Sequence, residues 1–257
     1  RALASGLDFR LGVTNVCAGD ASSKCVGKFC SVISTNTAHD GGPDRFLFPS
    51  EQNIFSACVK NPPCYEGGSE YGLTNAAQAV IKHLPRANND PYKVRTGVDI
   101  VIVVATDEFP NELLGYLSHA DKTRGKLDSF TQAKVDAAIK PYLDLFTGLK
   151  NKDAAAMFHV IGGMAPVTCT AEVAHGYKDI AKKLGGLHAD VCQKDLGPSL
   201  QEIIDHIVGR ASPVVLDMTP ISSSLAVALN GVQLKRSRHN GFDYRAQNKA
   251  IVFINQQ

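Results

Sequence analysis

The stretch VDIVIVVATDEFPN, Val98 to Asn111, decides the fold prediction. Asp99 is followed by six consecutive apolar residues, Ile100 to Ala105, and polar residues and Pro110 close the run. An unbroken and mostly β-branched run of this kind is typical of a strand that is covered on both faces, as in the middle of a parallel sheet. The sequence therefore predicts that this segment is the central strand of an α/β protein.

Asp107 and Glu108 come directly after this predicted strand. In open α/β sheets, ligands bind beyond the carboxyl ends of the strands, where neighbouring loops converge. Two adjacent carboxylates repel each other unless a positive group or several N–H donors lie close, so the sequence predicts a divalent cation, Mg²⁺ or Ca²⁺, at Asp107. The alternative is that Asp107 only caps the segment that begins near Pro110.

A glycine-rich loop, Gly67-Gly68-Ser69, opens a helix that is predicted over residues 70–84. Apolar residues recur in that segment at helical spacing. A loop of this composition leaves backbone N–H groups and the Ser69 hydroxyl free to face a ligand or a cation. The alternative is that Ser69 is a plain N-cap of the helix.

The remaining sequence alternates predicted strands and helices as far as residue 211. The strands are predicted over 9–16, 155–161 and 187–191, and the helices over 51–60, 129–150, 177–184 and 196–210. This order predicts a doubly wound, mostly parallel α/β domain over residues 1–211. From residue 212 the pattern changes to short strands around Asn230-Gly231 and Gln247-Asn248, which predicts a small all-β appendix over residues 212–257.

Seven cysteines indicate the compartment. They cluster in segments rich in turn-forming residues, where a disulfide stabilises most because such loops have few hydrophobic contacts of their own. An oxidising and hence extracytoplasmic location is predicted, whether the periplasm, the cell surface or the secreted fraction. The alternative is a zinc site, but Cys25-x4-Cys30 and Cys58-x5-Cys64 are not the CxxC pairs that bind zinc.

The composition argues against several other classes of function. A net charge of +2 and one short basic cluster at residues 235–239 give no reason to expect a nucleic-acid partner. No apolar run reaches the roughly 18 residues of a membrane span. No nucleophile elbow, phosphate-binding loop, dinucleotide fingerprint or HExxH motif occurs, so an enzyme is not predicted. A hydrolase that uses Asp107, Glu108 and either His159 or His175 is the third alternative.

Taken together, these features resemble the von Willebrand factor type A (VWA) domain in its secreted, cysteine-containing bacterial form. The stretches that carry the resemblance extend over nearly the whole chain, at residues 6–13, 67–73, 101–108, 160–163, 177–192, 241–244 and 248–253. The resemblance also implies a crosslink between Cys169 and Cys192.

The resemblance implies a metal-ion-dependent adhesion site. In that family it consists of a DxSxS motif after the first strand, a threonine in a glycine-rich loop and an aspartate after the fourth strand. Ser69 corresponds to the threonine and retains a hydroxyl, and Asp107 corresponds to the aspartate. The DxSxS motif has no counterpart in this sequence.

The resemblance also implies the strand order 3-2-1-4-5-6, with the first strand between the strands predicted over 9–16 and 100–105. Arg1 falls inside the helix that should follow this first strand. Because two facing rows of buried N–H and C=O groups cannot remain unpaired, we expect residues upstream of Arg1 or a donor strand from another polypeptide to lie there.

The function expected from these features is extracytoplasmic adhesion or protein recognition, in which the cation binds a carboxylate of a protein ligand. The alternative retains the fold without the metal. In that case the chain is a structural subunit of a bacterial surface or periplasmic assembly, held by its sheet edges and the β appendix.

Overall fold

The computed structural model describes most of the chain. The described residues are 9–15, 26–35, 41–63, 70–84, 87, 90, 92–95, 98–149, 156–211, 213–229, 231–237, 241–246 and 249–254. They divide into two compact units, one within Arg10–Leu196 and the other made of Phe9 with the described part of Gly197–Gln257. The domain boundary at residue 212 stays a prediction. The helix over residues 197–211, just before that boundary, belongs to the same compact unit as the C-terminal strands.

The larger unit contains a three-stranded parallel sheet. Its strands are β1 (Ile100–Ala105), β2 (Ala156–Gly162) and β3 (His188–Asp190), in the order β1-β2-β3. Ile100 lies opposite Ala156, and Val160 lies opposite His188. Long connections that contain helices join the three strands, as parallel pairing requires. The mixed α/β class that the sequence predicts is therefore confirmed.

The α-helices in the described part of the larger unit are α1 (Gln52–Lys60), α2 (Gly72–Lys82), α3 (Ser129–Gly148) and α4 (Tyr177–Lys183). The last three pack against one face of the parallel sheet. Alternate residues of β1 and β2 share a hydrophobic core with Leu73 of α2, Ile139 of α3 and Ile180 of α4, all fully buried. The Asp128 side chain caps α3 by accepting hydrogen bonds from the N–H groups of Phe130 and Thr131, each at 3.0 Å.

The prediction that β1 is covered on both faces is wrong. Val104 is buried, but Val103 is 45% exposed and Ala105 is also exposed. By contrast, every residue of β2 is buried. The physical reason is that the described residues leave the face of β1 away from the helices uncovered at Val103 and Ala105, whereas both faces of β2 are covered.

The prediction of a strand over residues 9–16 is also wrong for the part that the structure describes, residues 9–15. One isolated antiparallel bridge forms there, in which Leu11 and Leu47 exchange hydrogen bonds of 3.0 and 2.7 Å. The carbonyl of Val13 accepts from the N–H of Cys30 at 2.8 Å. This segment therefore bonds to neighbouring loops and does not pair with β1.

Two disulfides support the prediction of an oxidising compartment. Cys30 is bonded to Cys58 of α1. Cys169 is bonded to Cys192, which confirms the crosslink that the VWA resemblance implies. Cysteines 17, 25 and 64 lie outside the described residues.

The smaller unit consists of α5 (Gly197–Ala211) and five short strands. These are β4 (Pro213–Val215), β5 (Val227–Leu229), β6 (Val232–Leu234), β7 (Gly241–Arg245) and β8 (Ala250–Ile254). In the described residues these strands pair in antiparallel fashion, as the sheet β4-β8-β7 and the hairpin β5-β6. The small antiparallel sheet predicted for this segment is confirmed, with a hydrophobic core around Phe242.

None of the helices in the described residues has both the length and the apolar character that a membrane span needs.

Candidate functional site at the carboxyl end of the parallel sheet

Thr106 organises the turn at the end of β1. It is buried, and its N–H continues the ladder by donating to the carbonyl of Ile161 at 3.0 Å. Its hydroxyl oxygen accepts from the N–H of Glu108 at 3.1 Å, and the hydroxyl donates to the carboxylate of Glu70. The strand end is thereby joined to the segment that opens α2.

Asp107 and Glu108 are both exposed at this end of β1. The main-chain carbonyl of Asp107 accepts from the N–H of Glu172 at 2.7 Å, which holds the turn against the loop after β2. Within the described residues, neither carboxylate makes a hydrogen bond or an ion pair. Asp107 therefore lies at the sheet edge where the sequence predicts it, with its side chain available to a ligand.

The Glu70 carboxyl is next to this turn. Burial is the largest influence and raises the pKa of its carboxyl. The hydrogen bond from Thr106 lowers that pKa, whereas the negative charges of Asp107, Glu108 and Glu172 raise it further. Burial and neighbouring acids therefore both favour the protonated form of Glu70.

Lys122 provides a positive charge that pairs with one of these acids. Its ammonium lies 2.6 Å from the carboxylate of Glu172 and 5.0 Å from the centre of the Phe109 ring. The main-chain carbonyl of Lys122 also accepts from the N–H of Val173 at 2.6 Å. The Lys122 ammonium therefore pairs with Glu172. In the part of the chain that the structure describes, no positive side chain pairs with Asp107 or Glu108.

The N-terminus of α2 borders the same site. The N–H of Thr74 donates to the carboxylate of Glu112 at 2.6 Å, and the N–H of Gly72 donates to the Tyr177 hydroxyl at 3.1 Å. Burial raises the pKa of Glu112, and the hydrogen bond from Thr74 opposes that rise. A side chain at Gly72 would overlap Tyr177, which accounts for the glycine at this position.

Exposed apolar side chains occur in the loops that follow β1 and β2. Leu114 is 55% exposed and Tyr116 is 45% exposed in the loop after β1, and Met164 is 38% exposed after β2. Exposed apolar groups of this kind are suited to contact with another protein.

Ser69, the other predicted ligand of the cation, lies outside the described residues. Glu70, the next residue along the chain, hydrogen-bonds to Thr106 beside Asp107. Sequence reasoning missed Glu70, Glu172 and Lys122 as members of the site. Glu70 had a usable signal in its position directly after the glycine-rich loop, whereas Glu172 and Lys122 had none, because only the fold brings them to β1.

The chemistry of the oxygen donors fits a hard divalent cation, since carboxylates and hydroxyls are the ligands that Mg²⁺ and Ca²⁺ prefer. Among the described residues, however, no three His, Cys, Asp or Glu side chains converge closely enough to hold an ion. Glu70, Asp107 and Glu108 are thus near enough to repel one another without forming a closed set of ligands.

The two histidines considered for hydrolysis have structural contacts. His175 is fully buried, and its Nε2 lies 3.1 Å from the carbonyl oxygen of Asp121 and 2.9 Å from that of Arg124. His159 is also fully buried, and its Nδ1 accepts from the N–H of Leu187 at 3.1 Å. Both side chains hold loops to the sheet.

The chain matches no protein-family model, and it matches neither a curated protein nor a solved structure. The VWA resemblance therefore stays a prediction from the sequence motifs.

Proposed function

We propose that this protein is an extracytoplasmic recognition module of the VWA kind, which binds a protein ligand at the carboxyl end of its parallel sheet. In this proposal a divalent cation, Mg²⁺ or Ca²⁺, lies at Ser69 and Asp107 and binds an acidic side chain of the ligand. The observation that carries the proposal is the position of Asp107 and Glu108, two exposed acids at the carboxyl end of β1 whose carboxylates make no hydrogen bond or ion pair within the described residues. A cation would stabilise these two negative charges.

Each residue has a distinct part in this proposal. Ser69 and Asp107 would hold the ion, which when bound supplies positive charge and an open position for a carboxylate. Thr106 orients Glu70 through its hydroxyl and holds the main chain of Glu108. The exposed Leu114 and Tyr116 would contact the ligand around the ion.

The extracytoplasmic location is supported by the disulfides Cys30–Cys58 and Cys169–Cys192. Structural disulfides persist in oxidising compartments and are rare where thiols are kept reduced. A doubly wound VWA sheet is the fold that we propose for this domain, completed at the outer edge of β1 by a strand from another polypeptide.

The test is calorimetric titration of the intact protein with MgCl₂ and with CaCl₂. We expect binding that Asp107→Asn and Ser69→Ala each weaken by about tenfold or more, since the first removes a negative charge from the site and the second removes an oxygen ligand. The matched control is Asp144→Asn, an exposed acid on α3 that should leave binding unchanged. An absence of binding by the native protein, or native affinity in Asp107→Asn, would refute the cation.

A second candidate function is a metal-independent structural subunit of a surface or periplasmic assembly. The observation that favours it is the exposed edge strand β1, with Val103 45% exposed. Exposed apolar edge strands are sites at which other chains add. Stoichiometric binding of a partner that is unchanged by a chelator would favour this candidate over the first.

A further inference from the structure

The outer edge of β1 carries backbone groups that the sheet does not use. Thr106 donates its N–H toward β2. Since the direction of N–H groups alternates along a strand, those of Val101, Val103 and Ala105 point away from β2. In the part of the chain that the structure describes, these groups make no further backbone hydrogen bond.

The side chains of β1 divide in the same way. Ile100, Ile102 and Val104 pack on the hydrophobic core with the helices. Val103 and Ala105 are on the opposite face of the strand and are exposed. An added strand would therefore gain main-chain hydrogen bonds along the edge and would cover apolar surface that is now in contact with water.

The end of this edge is acidic. Asp107 and Glu108 follow β1 directly and are exposed, and the Glu70 carboxylate accepts a hydrogen bond from Thr106, the residue before them. A strand that carries Lys or Arg at this end would place a positive charge beside these carboxylates.

A second copy of the chain fits this edge poorly. If two β1 strands paired antiparallel about Val103, the added strand would bring no Lys or Arg beside Asp107 and Glu108, because residues 98–105 contain neither. The two exposed carboxylates therefore favour a strand with a basic residue at this end.

We propose that the outer edge of β1 binds an extended, β-branched segment of another protein, with a Lys or Arg placed next to Asp107 and Glu108. This inference rests on the proposed recognition function and names the chemistry of the partner. It does not depend on the cation.

The probe is a fluorescent peptide of alternating Val and Thr with Lys at both ends, and binding is measured by anisotropy with the intact protein. We expect saturable binding that Val103→Pro weakens by about tenfold or more, because proline removes an outward N–H without breaking the ladder to β2. The matched control is Ile221→Pro, at an exposed residue of the smaller unit whose φ of −71° suits proline, and this variant should bind as the native protein does.

A second arm tests the same bonds without any change to the protein. N-methyl groups on the amides of one side of the peptide prevent hydrogen bonds from that side. The peptide should therefore lose binding when the methylated side is the one that faces β1. Amide hydrogen exchange should slow at Val101, Val103 and Ala105 when the unmodified peptide is present.

The charge preference is tested by the peptide with Glu in place of Lys. We expect the native protein to bind it at least about tenfold more weakly, and the double variant Asp107→Asn with Glu108→Gln to remove the difference.

Peptide binding that is unaffected by both Val103→Pro and N-methylation would overturn the proposal. So would a native dimer in sedimentation that Val103→Pro dissociates, because a second copy would then occupy the edge. If magnesium titration fails and peptide binding persists, only the cation is refuted. If magnesium binds and the peptide does not, only this inference is refuted.

Discussion

At the residue scale, Glu70 carries the electrostatic conflict of the candidate site. Burial raises the pKa of its carboxyl, and the charges of Asp107, Glu108 and Glu172 add to that rise. The folded protein therefore binds this proton more tightly than the unfolded chain does. The stabilisation of the folded state by the Glu70 proton consequently decreases as pH rises from the ordinary carboxyl pKa through the raised pKa of Glu70.

We expect Glu70→Gln to raise the free energy of unfolding by up to about 1 kcal/mol at about pH 8 and to leave it nearly unchanged at about pH 4. The glutamine retains an oxygen that can accept from Thr106 but carries no charge. Urea unfolding at the two pH values measures the difference. Glu202→Gln, an exposed surface acid, is the control that should show neither change. Equal destabilisation by Glu70→Gln at both pH values would contradict this account.

Glu51 is the opposite case. Two hydrogen bonds from the Arg45 guanidinium, at 2.9 and 2.6 Å, are the main cause that lowers its pKa to about 2, and the N–H of Phe48 adds a third at 2.8 Å. A lowered carboxyl pKa gives stability that is present above the unfolded value of 4.5 and is lost as pH falls toward about 2.

Glu51→Gln is therefore expected to cost about 1 kcal/mol at neutral pH, with the difference from native disappearing near pH 2. Thermal unfolding at a series of pH values measures it. The comparison is Asp144→Asn, which breaks a pair with Lys140 whose side chains are 62% and 67% exposed. That variant should cost no more than about 0.5 kcal/mol, since water screens the pair. A larger cost for Asp144→Asn would contradict the argument from burial.

At the element scale, the Cys169–Cys192 disulfide joins the loop after β2 to the turn after β3 and closes 23 residues of chain. Replacement of both cysteines by serine is expected to cost about 3 kcal/mol, mainly because the unfolded chain gains entropy. Differential scanning calorimetry without reductant measures the loss. The double serine variant at Cys30 and Cys58, which closes 28 residues, should lose a similar amount. An unchanged melting temperature in either variant would contradict the prediction.

At the scale of the whole molecule, each unit has its own hydrophobic core. Phe242, 1% exposed, belongs to the core of the smaller unit, and the fully buried Phe158 belongs to that of the parallel sheet. Phe242→Ala should cost about 3–5 kcal/mol locally and speed amide exchange in β7 and β8 while β2 stays protected.

Phe158→Ala is the reciprocal control and should speed exchange in β1 and β2 with little effect on β7. Mass-spectrometric hydrogen exchange distinguishes the two patterns. Uniform loss of protection in both units from either variant would show that they unfold as one.

The sequence was sufficient to predict most elements of this molecule, because periodicity and turn residues act locally. The helices near 52–60, 177–183 and 197–211 and the hairpin around Asn230-Gly231 all form close to their predicted bounds. The sequence was not sufficient to predict the burial of β1, because the position of an apolar strand in the centre or at the edge of a sheet depends on neighbours far away along the chain. The same limitation applies to Lys122 and Glu172, whose contact joins loops fifty residues apart.

The sequence by itself determined the mixed α/β class of the fold, the change to short strands in the C-terminal segment, and the placement of Asp107 at the end of an apolar strand. These follow from side-chain period and from the residues that stop helices and strands. Only the tertiary structure decided that burial raises the pKa of Glu70, that β1 lies at the edge of the parallel sheet in the described residues, and that His159 and His175 are buried in structural contacts. Burial, like-charge repulsion and unpaired backbone groups arise between residues distant in sequence, so no local pattern could reveal them.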